Sequence, residues 1–219
     1  MKEFYPLLQN CALFDGIALE DLRTMLGCLG GKKISAMKGQ YLFQEGDAVG
    51  FVGIVLTGRL QLIRQDYYGN RSIMGCVEPG DLFGESYAFS GIQELPVTVY
   101  ADADSQILLL DSTRIYTCCG NACHFHNQLI SNLLKVVANK NLLLHQKLQV
   151  TSQRTTREKL MTYLLHQAKQ QKSRSFRIPF DRQALADYLE VDRSGLSAEI
   201  SKLRKEGILE SEKNSFRLL

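Results

Sequence analysis

The stretch Asp181 to Leu209, DRQALADYLEVDRSGLSAEISKLRKEGIL, constrains this chain more than any other. Leu185, Ala186, Leu189, Val191, Leu196, Ile200 and Leu203 recur at helical spacing and predict two short helices with a shared inward face. Ala186 is small where the two must cross closely. Asp181 and Asp192 stand where a short carboxylate can accept from the free N–H groups of a helix N-terminus. Gly207 can take the left-handed conformation that ends the second helix. Two helices joined this way form a helix-turn-helix, which lays its second helix in the major groove of DNA; an ordinary helical hairpin is the competing reading.

Charge separates these readings. The net charge is only +3, but residues 151–219 hold 14 Lys/Arg against 9 Asp/Glu, while residues 1–150 hold 12 against 14. The positive excess sits on the part that carries the two helices, as release of counterions from DNA requires. No apolar run is long enough to span a bilayer, and the N-terminal MKEFYPLLQNCALFDG lacks the apolar core of a signal peptide. A cytoplasmic location is expected, with the six cysteines as thiols or ligands rather than disulfides.

Upstream, the pattern changes twice. From about Ile34 to Leu110, short β-runs (41–43, 52–56, 60–63, 72–77, 97–100 and 107–110) alternate with Gly39, Gly46, Gly58, Gly69 and Gly80, which predicts a sandwich or barrel. A helix over 19–29 precedes it. From about Asn127 to Leu148 the period becomes helical: Ile130, Leu134, Val137, Asn141, Leu144 and Leu148 step by four and three, a heptad seam suited to pairing with a second copy. Asn141 falls at an a position, where a buried amide selects one register. A second stripe, Leu129, Leu133, Val136 and Leu143, is expected to pack on the helix's own β-domain. A single wide core-facing stripe on a monomer is the alternative. Beyond it come a helix over 156–169, an extended run at 176–180, and a C-terminal hairpin, or wing, turning at Lys213-Asn214.

Over nearly its whole length the chain resembles the Crp/Fnr superfamily of bacterial transcription regulators. The matching segments are KGQYLFQEGD (38–47), LTGRL (56–60), EPGDLFGE (78–85), the long helix, and VDRSGLSAEISKLRKEGIL (191–209). The resemblance implies an α+β chain: a cyclic-nucleotide-binding-like double-stranded β-helix (β-roll or jelly roll) at 1–125, a dimerisation helix at 126–150, and a winged helix-turn-helix at 151–219. It implies a homodimer on a palindromic operator in double-stranded DNA, with RNA polymerase as a further partner if the protein activates. Carried onto this chain, the recognition-helix arginine is Arg193, which can donate two hydrogen bonds to guanine O6 and N7. Ser194 and Ser197 share its side. Arg182, Gln183, Lys202, Lys205 and Lys213 are candidates for phosphate contacts. A later family arginine is Ala198 here, and the turn position that favours glycine is Glu190.

The corresponding effector pocket is Gly84, Glu85, Ser86, Leu95, Pro96 and Val97. In cyclic-AMP-binding members an Arg-Ser pair holds the phosphate; Leu95 and Pro96 stand there in this chain, and no Lys or Arg occurs between Ser72 and Thr113. A buried phosphate would lack a charged partner. Cyclic AMP is therefore not the expected ligand; a neutral or mostly apolar small molecule, or no ligand, is. Arg59, Arg64 and Arg71 precede the gap. Separately, Cys119, Cys123 and His126 in CCGNACHFH (118–126) have the chemistry for zinc, iron or a redox switch, but their spacing matches no strong metal motif, and packing is the commoner use. A metal- or redox-responsive regulator is thus the alternative function. Enzyme readings fare worse. All four histidines follow the predicted barrel, which leaves a cupin-type metal site without imidazole ligands, and no phosphate-loop, HExxH or nucleophile-elbow motif occurs.

Overall fold

A computed structural model describes residues 2–69, 71–117 and 124–219. A 3₁₀ turn leads into α1 (Tyr5–Gln9) and α2 (Leu19–Cys28). There follow β1 (Lys32–Ala36), β2 (Tyr41–Phe43), β3 (Phe51–Thr57), β4 (Leu60–Gln65), β5 (Arg71–Val77), β6 (Leu82–Phe83), α3 (Glu85–Ala88), β7 (Thr98–Ala101), β8 (Ser105–Asp111) and α4 (Ser112–Tyr116). The long helix α5 (His124–Thr151) comes next. After it are α6 (Thr156–Gln170), β9 (Ser175–Arg177), α7 (Arg182–Leu189), α8 (Arg193–Lys205), β10 (Leu209–Glu212) and β11 (Ser215–Leu218).

Among the described residues the strands form three antiparallel sheets, ordered β1-β8-β3-β6, β2-β7-β4-β5 and β10-β11-β9. The first two face each other across Val55, Leu60, Val77, Phe83, Val99 and Ile107, with the rings of Phe43 and Phe51 stacked 4.2 Å apart at the rim. The outer side of the first sheet packs Val52, Leu108 and Leu110 against Leu13, Phe14 and Leu22 from the N-terminal helices and Leu129 and Val136 from α5. This is the β-roll with a helical cover, an α+β chain as expected. Gly58, in the LTGRL turn, shows why that turn needs glycine: its φ is +84°, and a Cβ would lie 2.3 Å from the Asp104 carbonyl oxygen.

The strand pattern missed β1 and β6. Lys32–Ala36 is mostly exposed and shows no apolar run, and β6 is two residues long. Both exist because they pair with strands distant in sequence, β1 with β8 and β6 with Gly53 and Ile54 of β3. The second stripe of α5 also needs one correction. Leu129 and Val136 are buried as expected and Leu133 is partly covered, but Leu143 is 56% exposed.

By compactness the chain divides into two units, Met1–Asp66 with Met74–Asn141, and Tyr67–Ile73 with Leu142–Leu219. The core of the second is built from Leu160, Tyr163 and Leu164 of α6, Leu185, Ala186 and Leu189 of α7, Leu196, Ile200 and Leu203 of α8, and Leu209 and Phe216 of the wing. Each large apolar side chain of this set stabilises by about 1.5–3 kcal/mol on burial. No helix among the described residues is long and apolar enough to cross a membrane.

Candidate nucleic-acid interface and β-roll site

The helix-turn-helix is set by local chemistry. Asp181 caps α7, its carboxylate accepting from the Ala184 N–H at 2.8 Å. Asp192 precedes α8 but makes no side-chain capping bond, contrary to the sequence expectation. Between the helices Glu190 adopts φ 55°, ψ 56°. A side chain in that left-handed conformation costs about 1–2 kcal/mol, which is why glycine suits the position. Glu190→Gly is expected to raise stability by about 0.5–1 kcal/mol, net of the glycine's own entropy. Urea unfolding measures it, and a stability loss would contradict the strain. Gly207 ends α8 at φ +70°, as expected.

α8 is braced from behind. The Arg157 guanidinium on α6 donates to both carboxylate oxygens of Glu206 at 3.0 and 2.5 Å and lies 3.6 Å from Glu199. Leu196, Ile200 and Leu203 seat the inner face. The outer face carries Arg193 and Ser194, both exposed, with Ser197 half-buried and Ser201 donating back to its carbonyl at 2.9 Å. Among the described residues no carboxylate lies within ion-pair distance of Arg193. Arg182 starts α7 and leans over the Phe216 ring of the wing, 5.9 Å from its centroid. Burial lowers its pKa, and the like charge of Arg193 lowers it further. Two cations at the starts of successive helices, with no ion-pair partner among the described residues, are suited to an anionic ligand.

The other predicted phosphate contacts divide. Lys205 and Lys213 are exposed. Lys213 sits at the wing tip with φ +50°, and its neighbour Asn214 staples the turn, accepting from Arg177 Nε at 3.0 Å and donating to the Ile178 carbonyl at 3.1 Å. Lys202 has Glu199 at 3.9 Å, a weak surface pair. Gln183 donates one amide proton to Asp187 at 2.7 Å, which orients the side chain and leaves its second N–H for a phosphate.

In the β-roll, Gly84 turns the chain into α3 at φ +83°, with the Phe51 ring and carbonyl 3.2 Å from where a Cβ would be. Glu85 follows and is 1% exposed. Its Oε1 accepts from Ser86 Oγ at 3.0 Å and pairs with the Lys140 ammonium of α5 at 2.9 Å, while Oε2 is buried with no hydrogen-bond partner among the described residues. Lys140 also donates to the Leu82 carbonyl at 2.5 Å. The absence of a cation between residues 72 and 113 is therefore made good from the long helix, a contact that the local sequence did not signal. That cation is already committed to Glu85. Leu95 and Val97 are buried and Pro96 exposed; the Leu95 N–H donates to the Asp47 carbonyl at 2.8 Å. Arg59 is engaged by Asp102, its Nε donating at 2.6 Å. A separate open cleft of about 530 Å³ is lined by Ser35, Met37, Gln40, Thr57 and Gln106, none of them a predicted pocket residue.

Cys119 and Cys123 lie outside the described residues. The third member of that cluster, His126, is buried, and its Nε2 donates to the Ile115 carbonyl at 3.0 Å. Of the described cysteines, Cys11 is buried, which pushes its thiol up to about 11, far from a reactive thiolate.

Comparison with known proteins agrees with this geometry. Residues 33–121 match the family model described as "Cyclic nucleotide-binding domain", and residues 158–219 match the "Crp-like helix-turn-helix domain". The chain is 24% identical over 189 residues to the transcriptional activator protein FnrA of Stutzerimonas stutzeri, covering 83% of this chain and 74% of FnrA. Its fold matches FixK2 from Bradyrhizobium japonicum at a TM-score of 0.67 and 21% identity, over 86% of this chain and 92% of that one. It also matches CLP, described as the c-di-GMP responsive global regulator of Xanthomonas campestris, at a TM-score of 0.73 and 15% identity, over 90% and 99%. With the β-roll, long helix and basic winged helix-turn-helix in that order, the chain is a DNA-binding transcription regulator and belongs to the Crp/Fnr family.

Proposed function

We propose that the protein acts as a homodimer on a palindromic operator, with residues 1–125 as a sensor, 126–150 as the dimerisation helix and 151–219 as the DNA-binding module. One observation carries the dimer. Along α5, Ile130, Leu134, Leu144 and Leu148 are 40, 71, 56 and 63% exposed in the single chain. A row of large apolar side chains at heptad spacing is costly in water, and a second copy presents the same row for a two-fold contact. Val137 completes the seam, and exposed Asn141 pairs across it only in register.

In that pair each α8 offers Arg193 to base edges, with Ser194 and Ser197 beside it. Arg182, Gln183, Lys202, Lys205 and Lys213 hold phosphates. Two recognition helices about 34 Å apart meet successive major grooves, and the symmetry of the protein becomes the palindrome of the site. RNA polymerase is the further partner of an activator. The sensor takes a neutral or mostly apolar small molecule rather than cyclic AMP, with Gly84, Glu85, Ser86, Leu95, Pro96 and Val97 as the residues expected to meet it. Commitment of Lys140 to Glu85 supports this, since a phosphate would have to compete for that ammonium. The cytoplasm is the location such a regulator requires.

Sedimentation velocity combined with selection of bound duplexes from a random pool, with and without candidate effectors, tests the reading. The expected result is a two-chain species that enriches a palindrome. Leu134→Asp is expected to dissociate it and to weaken operator binding by about 100-fold or more, because one half-site alone then carries the contacts. A single-chain species with no preference among duplexes at moderate salt would sink the proposal.

A further inference from the structure

One stripe of α5 runs Leu129, Leu133, Val136, Lys140, Leu143, Lys147 and Val150, at alternating steps of four and three, and all of it but Leu143 is covered or partly covered by its own chain. Lysines one heptad apart interrupt an otherwise apolar stripe. Lys140 is accounted for by Glu85. Lys147 is not, and it is only 7% exposed. An ammonium withdrawn from water must spend its protons on acceptors. That of Lys147 donates to the main-chain carbonyl of Ile73 on β5. It also lies over the ring of Tyr188, 4.9 Å from the centroid, where the ring quadrupole attracts a cation, the more so when both are desolvated.

Tyr188 belongs to α7, the first helix of the helix-turn-helix. Its ring packs on Tyr163 of α6 at 5.3 Å and on Phe180, just ahead of α7, at 4.8 Å. Lys147 therefore joins three parts of the second compact unit: the segment Tyr67–Ile73 at the β4–β5 connection, the end of α5, and α7. A leucine would satisfy the stripe and pack at less cost, so the charge itself is the reason for lysine here.

We propose that Lys147 is a positioning residue for operator binding. It is anchored on the Ile73 carbonyl, holds the Tyr188 ring by its charge, and so fixes how α7, and α8 with it, are seated on the end of α5. It touches no DNA. The inference rests on the DNA-binding reading above.

The test uses the full chain, an operator duplex from the selection, and a scrambled duplex at the same salt. Lys147→Met keeps the length and the apolar stem without the charge. Tyr188→Phe keeps the ring face, and Tyr188→Leu removes it. Lys147→Met and Tyr188→Leu are each expected to lower operator affinity about 10-fold, within the range for coupling through a packed network, while scrambled-duplex affinity and the two-chain mass stay unchanged. Lys147→Arg and Tyr188→Phe are expected to bind within about two-fold of the parent, because charge and ring face persist. The double variant Lys147→Met/Tyr188→Leu is expected to be no worse than either single. If Lys147→Met fails to fold, the contrast between Tyr188→Phe and Tyr188→Leu decides alone. Equal losses in those two, or multiplied losses in the double variant, overturn the proposal. Full operator binding by Lys147→Met overturns it while leaving the DNA-binding reading intact. A parent protein with no duplex preference overturns both.

Discussion

Arg193→Ala is expected to cut sequence preference sharply while leaving the protein folded and its mass in solution unchanged. Arg193 is the first residue of α8, is exposed and, among the described residues, has no carboxylate within ion-pair distance. Its side chain is exposed, so its removal costs little packing. A bidentate arginine–guanine pair discriminates by about 1–3 kcal/mol, and a two-fold complex has two such pairs. The ratio of operator to scrambled-duplex affinity should therefore fall by about 30-fold to 10⁴-fold. Anisotropy titrations of both duplexes at one salt concentration measure it. Binding to the scrambled duplex should weaken far less, because the phosphate-facing cations remain. An unchanged ratio would mean that another element reads the bases.

The second large effect is on stability. Lys140→Met leaves the Glu85 carboxylate, whose side chain is 2% exposed, without its cation, and Oε2 already has no hydrogen-bond partner among the described residues. Removing one member of a buried pair costs about 3–5 kcal/mol; the lower end applies, since Lys140 itself is 30% exposed. Urea unfolding should show the midpoint fall with an unchanged slope. Glu85→Gln added to Lys140→Met should recover most of the loss, because the stranded charge is gone and replacing both partners is often nearly neutral. A double variant no more stable than the Lys140→Met single would mean that the pair does not carry the cost.

These two residues also show where the sequence was legible. The helix that carries Arg193 could be placed because its inner face, Leu196, Ile200 and Leu203, is written in a local period; the choice of Arg193 on it came from the family resemblance. The exposed apolar row on α5 and the wing turn at Lys213-Asn214 were legible for the same reason. Lys140 and Lys147 left a fainter trace, two lysines where the inward stripe calls for apolar residues. Composition around the pocket suggested a site without a cation; the cation comes from a helix far along the chain. Asp192 carries the right side chain for a cap and makes no capping bond, and Gln183 is held by Asp187. In both cases residue type was readable and the partner was not.

The amino-acid order alone determined the succession of periods: two for the β-roll, three and a half for the long helix, then the two short helices with basic residues on their outer side. Those periods follow from backbone geometry, which acts between near neighbours and is written locally. Only the tertiary structure decided that β1 and β6 exist, that Leu143 stays in water, and that Lys140 and Lys147 end on Glu85, Ile73 and Tyr188. Pairing between distant segments depends on which surfaces are left to be covered once the chain has packed, and a charged side chain takes whatever acceptor that packing leaves within its reach.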